Sequence, residues 1–500
     1  MNFRFNEIKW DTANKIAEKE VAVRTSVSEM ESGGATKVLD VLADARIVSL
    51  DATGNSARVF GRVNFKLLYL NNDGEIRGLD YFADFSETVQ TENLNGKLYG
   101  QIAVIDTDTS IGGGIKLNAV VKITLFSVCS DMKKCLVGAD DDVYVENKKM
   151  RCQRFCTSIN TSFTVSDDYD TKTDVMKILL TRADAYVEKA TAGMGNVLLT
   201  GAVNATVTYL AGDKLTVTDF HIPYSEEFQA DGVEIGQKLE ADVTVKNVRV
   251  VLTGVEGANV IRIEAEVEAN VKAYDVAEEE VVKDVFSITH ELNEKRAVAS
   301  GGIHRGFEFY KDDVSGIAAL TENMPSVLEV IGVTHSENNV ARAYSESGKI
   351  VIEGVFGATV LYRDENGVSS VNLEVPYSLP FMNEGSDESD TVTANGVVLY
   401  VSAKLKREKE IEVNATLGFM TGSIGTCSAE YIEEIEEGRE KEVNKSAVSV
   451  FVAEEGDTIW DASKALSARP DDIMAQNPEL TTPFREGQKV FYYREISFEF

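Results

Sequence analysis

The sequence predicts a mainly β protein: three tandem antiparallel β-sandwich or barrel-like domains, followed by a small βααβ module. Three observations carry this expectation. One block of strand-like residues recurs three times along the chain. Residues in and around each block alternate apolar and polar with period two, between short turns and without intervening amphipathic helices. The last fifty or so residues then switch to helical spacing between two short strands.

The repeated block begins on a glycine and reaches a tyrosine eight residues later: Gly61 and Tyr69, Gly201 and Tyr209, Gly354 and Tyr362. Turn residues follow each copy, at Asn72-Asp73-Gly74, Gly212-Asp213 and Asn366-Gly367, as a hairpin requires. The returning strands carry Asp84-Phe85-Ser86, Pro223-Tyr224-Ser225 and Pro376-Tyr377-Ser378. Each block closes on a related strand, Ile115 to Ala119, Ile261 to Ala265 and Ile411 to Ala415. The glycines are a domain length apart, too far for a solenoid repeat. Each glycine is expected to admit a close backbone approach, and each tyrosine to pack as a core aromatic. Extended segments at Glu20 to Val27, Arg151 to Val165 and Val281 to Leu292 are assigned to the block that follows them, and apolar stretches at Val38 to Leu42, Val175 to Leu180 and Ser326 to Ile331 lead into the cores. This divides the chain into β-domains at 1–130, 131–277 and 278–428, an acidic linker at 429–445 and a terminal module at 446–494. A second acidic run, Glu384 to Asp390, reads as a mobile loop within the third block.

Composition supports folded cores, with 43% hydrophobic residues in 500, and gives a formal net charge of −32. Such a surface repels phosphate backbones and anionic lipid, which argues against nucleic acid and membrane partners. The amino terminus has no signal-peptide pattern and no segment is apolar enough to span a bilayer, so a cytoplasmic protein is expected. Of five cysteines, Cys129, Cys135, Cys152 and Cys156 cluster with spacings C-x5-C and C-x3-C. These are not paired zinc knuckles, and free thiols in strands are the expected state.

Nothing in the sequence points to catalysis. The four histidines, His221, His290, His304 and His335, stand in no metal-binding or nucleophile motif, and there is no phosphate-binding loop or dinucleotide fingerprint. Gly112-Gly113-Gly114 lies between strand-like segments with no helix after it and reads as a turn. A non-enzyme without a cofactor is expected.

In the terminal module a strand containing Val450 and Val452 runs into Gly456-Asp457-Thr458, where Asp457 or Thr458 can cap a helix carrying Ala462, Ala465 and Leu466. Pro470 ends that segment, and Asp471 or Asp472 can cap a second helix with Ile473 and Met474; Gly487 turns into a closing strand at Val490 to Tyr492. Trp460, at the start of the first helix, is expected to fill the small core. This order resembles a LysM module. The resemblance implies a ligand groove between two loops: Gly456, Asp457, Thr458 and Ile459 on one side, Asn477, Pro478, Glu479 and Leu480 on the other. The same residues also cap helices and shape turns in such a fold whatever it binds.

Three such β-domains followed by one LysM resemble the SPOCS-domain plus LysM spore-coat morphogenetic proteins, the SipL type, of spore-forming Firmicutes. The resemblance implies an assembly adaptor in the mother-cell cytoplasm, at the forespore surface. Its partners would be the coat's basement-layer ATPase, of the SpoIVA type, docked largely through the LysM, and other coat proteins. The alternative is a protein that grips peptidoglycan fragments or other N-acetylglucosamine polymers through the same groove. In the first reading the acidic linker lets the module search for its partner.

Overall fold

The computed structural model describes residues 1–91, 96–140, 142–171, 174–253, 259–442 and 446–494. It is mainly β, and its strands form three repeats of six. The first comprises β1 (Phe3–Ser28), a one-turn helix α1 (Glu29–Ser32), β2 (Ala35–Thr53), β3 (Ser56–Asn71), β4 (Ile76–Gln90), β5 (Lys97–Ile111) and β6 (Gly114–Ala139). The second comprises β7 (Val143–Asp170), β8 (Val175–Ala192), β9 (Asn196–Ala211), β10 (Lys214–Gln229), β11 (Lys238–Thr253) and β12 (Val260–Ser287). The third comprises β13 (His290–Ala319), β14 (Glu329–Glu346), β15 (Lys349–Asp364), β16 (Gly367–Met382), β17 (Thr391–Arg407) and β18 (Glu410–Glu440).

Each repeat makes two antiparallel three-stranded sheets with one topology. The first strand pairs with the last and the last with the fifth, while the second, third and fourth form a meander. Side chains of both sheets share a core: in the first repeat Val23 and Val27 of β1 meet Phe65 and Leu67 of β3 and Leu117 and Val121 of β6. Turns at Asn72-Asp73-Gly74, Gly212-Asp213 and Glu365-Asn366 join the third strand to the fourth, and Gly112-Gly113-Gly114 is the β5–β6 turn.

The recurrent glycine explains how the meander closes. Gly61, Gly201 and Gly354 stand opposite Phe85, Tyr224 and Tyr377 on the neighbouring strand. A Cβ at Gly201 would lie 2.0 Å from the Tyr186 carbonyl oxygen, and one at Gly354 2.3 Å from that of Asn339. Only glycine lets the aromatic lie across the strand. The tyrosine hydroxyls then find buried partners, Tyr224 donating to the Tyr186 carbonyl at 2.8 Å and Tyr377 to Asn338 Oδ1 at 2.5 Å. Tyr69, Tyr209 and Tyr362 are core aromatics, each almost fully buried.

The first and last strands of each repeat outrun the sheets. Beyond the end of β5, residues 3–12 of β1 continue to pair with 129–139 of β6 as a two-stranded ribbon. The pairs β7–β12 and β13–β18 do the same. The three ribbons bury their apolar faces against one another, bringing together Trp10, Cys135, Met150, Val281, Ala299 and Tyr431, one from each of the six strands. A further cluster toward the tip joins Leu136, Val143, Val282, Val285, Ile432 and Ile435.

At the other end of the repeats the three meanders meet around a common axis in a leucine cluster that includes Leu39, Leu68, Leu180, Leu215 and Leu361. Polar contacts close the ring: Lys66 Nζ donates to the Thr181 carbonyl at 2.7 Å, Arg182 to the Ser336 carbonyl, and Lys37 Nζ to Ser369 Oγ at 2.9 Å.

Four expectations are corrected. The divisions at 130/131, 277/278 and 428/429 fall inside the continuous strands β6, β12 and β18, because the ribbons belong to the same strands as the cores. The segment Val281 to Leu292 straddles the β12–β13 turn and so belongs to two repeats. Residues 429–440, expected as part of an acidic linker, are the outer part of β18, paired with β13 and burying Tyr431, Ile432 and Ile435 while the glutamates between them stay exposed or half-buried; residues 443–445 of that span lie outside the described residues. The acidic loop before β17 is tied down: Asp390, with its side chain fully buried, accepts from Arg305 at 2.7 Å and 2.9 Å and from the Asp387 amide at 2.9 Å.

His304 of β13 lies over the Tyr274 ring, 4.0 Å between centroids, with its Nε2 3.7 Å from Glu240. Burial drives its pKa down to about 4, against a smaller upward pull from Glu240. The unfolded chain therefore binds a proton here that the folded chain refuses, so this stability is complete above pH ~6.5 and drains as pH falls toward 4. Replacing His304 by Phe keeps a stacked ring and removes the titration. Melting temperatures between pH 7 and 4 should fall less steeply for the variant than for the wild type, by the equivalent of about 2–3 kcal/mol at the acid end. Parallel curves would exclude this role.

Candidate docking site

After β18 the chain forms a βααβ unit: β19 (Val448–Val452), α2 (Ile459–Leu466), α3 (Pro470–Gln476) and β20 (Lys489–Tyr493), with β19 and β20 antiparallel. Its core is Ala453, Ala462, Leu466, Ile473, Phe484 and Val490, with Ile459 and Leu480 packed against it. The alternation expected in β19 is present with the opposite face inward: Val448, Val450 and Val452 are exposed while Phe451 packs on the core.

The two loops expected to form a groove each pack on this core, through Ile459 and through Leu480. Gly456, at φ +96°, and Asp457 are held by Phe484: Gly456 N donates to the Phe484 carbonyl at 3.1 Å, and Phe484 N to that of Asp457 at 2.6 Å. Asp457 Oδ2 also accepts from the Glu454 amide at 2.8 Å. Thr458 is the N-cap residue of α2, and Asp461 Oδ2 accepts from both its amide and its hydroxyl at 2.8 Å. Arg469, rather than either aspartate, occupies the N-cap position of α3 without a side-chain cap bond, and Pro470 follows in the first turn, where its missing N–H costs nothing; Asp471 and Asp472 come after it. On the second loop, Asn477 bridges α3 to β20: its Nδ2 donates to the Ile473 and Phe491 carbonyls at 2.8 and 2.7 Å, and its Oδ1 accepts from Phe491 N at 3.0 Å. Gly456, Asp457, Thr458 and Asn477 thus hold the loops in shape, Ile459 and Leu480 anchor them, and Pro478 and Glu479 face solvent.

Trp460 is not in the unit's own core. Its ring meets Phe286 of β12 edge-on, 4.9 Å between centroids, and its Nε1 donates to Asp284 Oδ2 at 2.8 Å. Lys464, one turn later, reaches both Asp284 oxygens at 2.7 and 2.8 Å. Burial pushes the Asp284 carboxyl up, but the Lys464 and Trp460 hydrogen bonds outweigh it and hold the carboxyl below the usual range. Lys441 Nζ adds bonds to the Ser287 carbonyl at 2.8 Å and to Ser467 Oγ at 3.4 Å. One face of α2 is therefore docked on the tip of the ribbons while Pro478 and Glu479 stay open. Nothing in the sequence pairs Asp284 with a tryptophan 176 residues away, so this contact had no local signal.

Residues 174–253, from the start of β8 to the end of β11, match a family model described as SipL, SPOCS domain. No curated protein matches the chain. The second repeat thus carries a SPOCS domain, and the first and third share its strand order and pairing. No helix among the described residues is long and apolar enough to cross a membrane. All five cysteines are free and lie in β6, β7 and β18, and among the described residues no group of three His, Cys, Asp or Glu side chains is placed to hold a metal ion.

Trp460→Ala should release the βααβ unit without unfolding it. The loss should be roughly 1–3 kcal/mol, less than for a tryptophan in a closed core, because the ring keeps some exposure. Hydrogen exchange on the full chain should rise around 284–287 and 460–467 while β19–β20 amides keep their protection. Loss of that protection as well would place Trp460 in the unit's own folding core.

Proposed function

We propose that this protein is a non-enzymatic, sporulation-related assembly adaptor of the mother-cell cytoplasm that works at the forespore surface. In this reading the terminal βααβ unit is a LysM module that docks the coat's basement-layer ATPase, of the SpoIVA type, and the three repeats are SPOCS sandwiches that add further contact surfaces for coat proteins. The carrying observation is the SPOCS match within one of three like-built repeats, joined to a βααβ unit whose loops have LysM order. The adaptor reading is also supported by where the perturbed groups sit. His304 and His335, held down to about 4 and about 3 chiefly by burial, lie at junctions between repeats. They act as interface side chains rather than as acids or bases.

The docking of Trp460 sharpens how the module would work. A unit fixed on the ribbon tip offers Pro478 and Glu479 to a partner in one orientation, so little ordering entropy is lost on binding. Binding of the full chain to the purified ATPase should weaken about tenfold or more in Pro478→Glu and Glu479→Arg, which alter exposed groups and spare the core. N-acetylglucosamine oligomers should not compete. Unchanged binding by both variants would move the docking surface elsewhere, and competition by micromolar oligomers would establish the wall-polymer reading instead.

A further inference from the structure

The end of the repeats away from the ribbons carries a site that neither the terminal unit nor the repeat match explains. Each second strand begins where the first ends, beside the turn between the third and fourth strands: Ala35 pairs with Asn71, Val175 with Ala211 and Glu329 with Arg363. Three turns, one per repeat, therefore surround the axis. Between them opens a cavity of about 300 Å³, small for a ligand pocket. Its walls come from all three repeats at matching positions, Leu70 with Ile76, Leu210 with Leu215, and Arg363 with Val368. The leucine cluster that joins the repeats is its floor.

Two further features belong to this mouth. Apolar side chains rise from its rim: Met176, 68% exposed, sits in the bulge beside Leu210, and Leu328, 65% exposed, donates its amide to the Arg363 carbonyl at 2.8 Å. Carboxylates ring it, Asp73, Asp213 and Glu365, one on each turn. Of the neighbouring cations, Arg77 is held by Glu75 at 2.9 Å and Lys214 by Glu329 at 2.8 Å, while Lys177, opposite Leu210, acts on Glu75 at longer range; none of the three turn carboxylates forms an ion pair with a described residue. In the wall, Arg363 Nε is buried without a hydrogen-bond partner; the nearest carboxylate, Glu329, is 3.9 Å away.

We propose that this three-repeat crown is a second docking site, for a basic peptide segment that inserts one large apolar side chain into the axial pocket. The apolar walls take the anchor, since burying an aromatic or branched side chain away from water is favourable. The three turn carboxylates hold lysines or arginines on either side of it. A chain of charge −32 attracts such a segment over a distance as well. This site lies at the other end of the repeats from the βααβ unit and does not rest on the reading of that unit.

The test is calorimetric titration of the full chain with a synthetic peptide, Lys-Lys-Phe-Lys-Lys, against the same peptide with Ser for Phe and with Glu for each Lys. The wild type should bind the first and weaken tenfold or more for the other two. Leu210→Arg, which fills the pocket with a cation, and Asp213→Lys, on an exposed turn that tolerates change, should each cost a similar factor while the melting temperature holds. Absence of binding to the first peptide, or equal binding by wild type and Asp213→Lys, would overturn the proposal. A concentration-dependent dimer abolished by Leu210→Arg would overturn it too, by making a second copy of the chain the occupant.

Discussion

Pairing between the first and the last strand of each repeat is the constraint on which the rest of the molecule depends. Because β1–β6, β7–β12 and β13–β18 stay in register past the ends of their sheets, each repeat ends in a two-stranded ribbon with one apolar face. An isolated hairpin of this kind is marginal in water. Three of them bury one another around Trp10, Val281 and Tyr431, and this forces the repeats into a closed trio rather than a string. The indole of Trp10 is held in that assembly by its Nε1, which donates to the Ser300 carbonyl of the third repeat at 3.2 Å.

Closing the trio brings three meanders against one axis, and backbone has to pass very near backbone there. A Cβ at Gly78 would sit 1.5 Å from the Leu179 carbonyl oxygen, so β4 can lie against β8 only through a glycine. The polar contacts at the three junctions differ: Lys66 serves the first with the second, Arg182 the second with the third, and His335 faces Asp40 at 3.8 Å between the third and the first. Burial raises the Asp40 carboxyl to about 6 and lowers the His335 ring to about 3, with Arg182 acting on both, and Lys37 crosses the same junction to Ser369. Since a buried charge is costly without its own partner, the junctions are not interchangeable, and each repeat is matched to its neighbour.

Much of this was legible in the sequence wherever the signal is local. The glycine–tyrosine spacing, the turn residues and the period-two alternation located the meanders, and the Gly-Asp-Thr and Asn-Pro loops located the βααβ unit, because each reflects a rule that acts within a few residues. What the sequence hid is long-range. The outer part of β18 reads as acidic linker because its glutamates stand among Tyr431, Ile432 and Ile435, and only the partner ribbons explain why those apolar residues are there. Trp460 reads as a core residue because a small module needs an aromatic; Phe484 and Phe451 fill that role, and the tryptophan is free to face Phe286. Of the residues expected to line a groove, Asn477 could be placed by type but not by task, since its amide completes the edge of β20.

These placements bear on how the proposed adaptor would work. A terminal unit on a flexible tether would gain avidity by searching, at the expense of any fixed geometry between its partner and the repeats. Here Trp460, Lys464 and Lys441 tie it to the tip of three mutually packed ribbons, which gives its open loops a defined placement relative to the repeats. If both proposed docking sites are used, their partners would be held apart by the length of the β1–β6, β7–β12 and β13–β18 ladders. Rigid spacing of that kind suits a layer in which one protein must be held at a defined height over another. It also makes the Asp284 contact, together with the Lys441 bonds to Ser287 and Ser467, the attachment on which that placement depends.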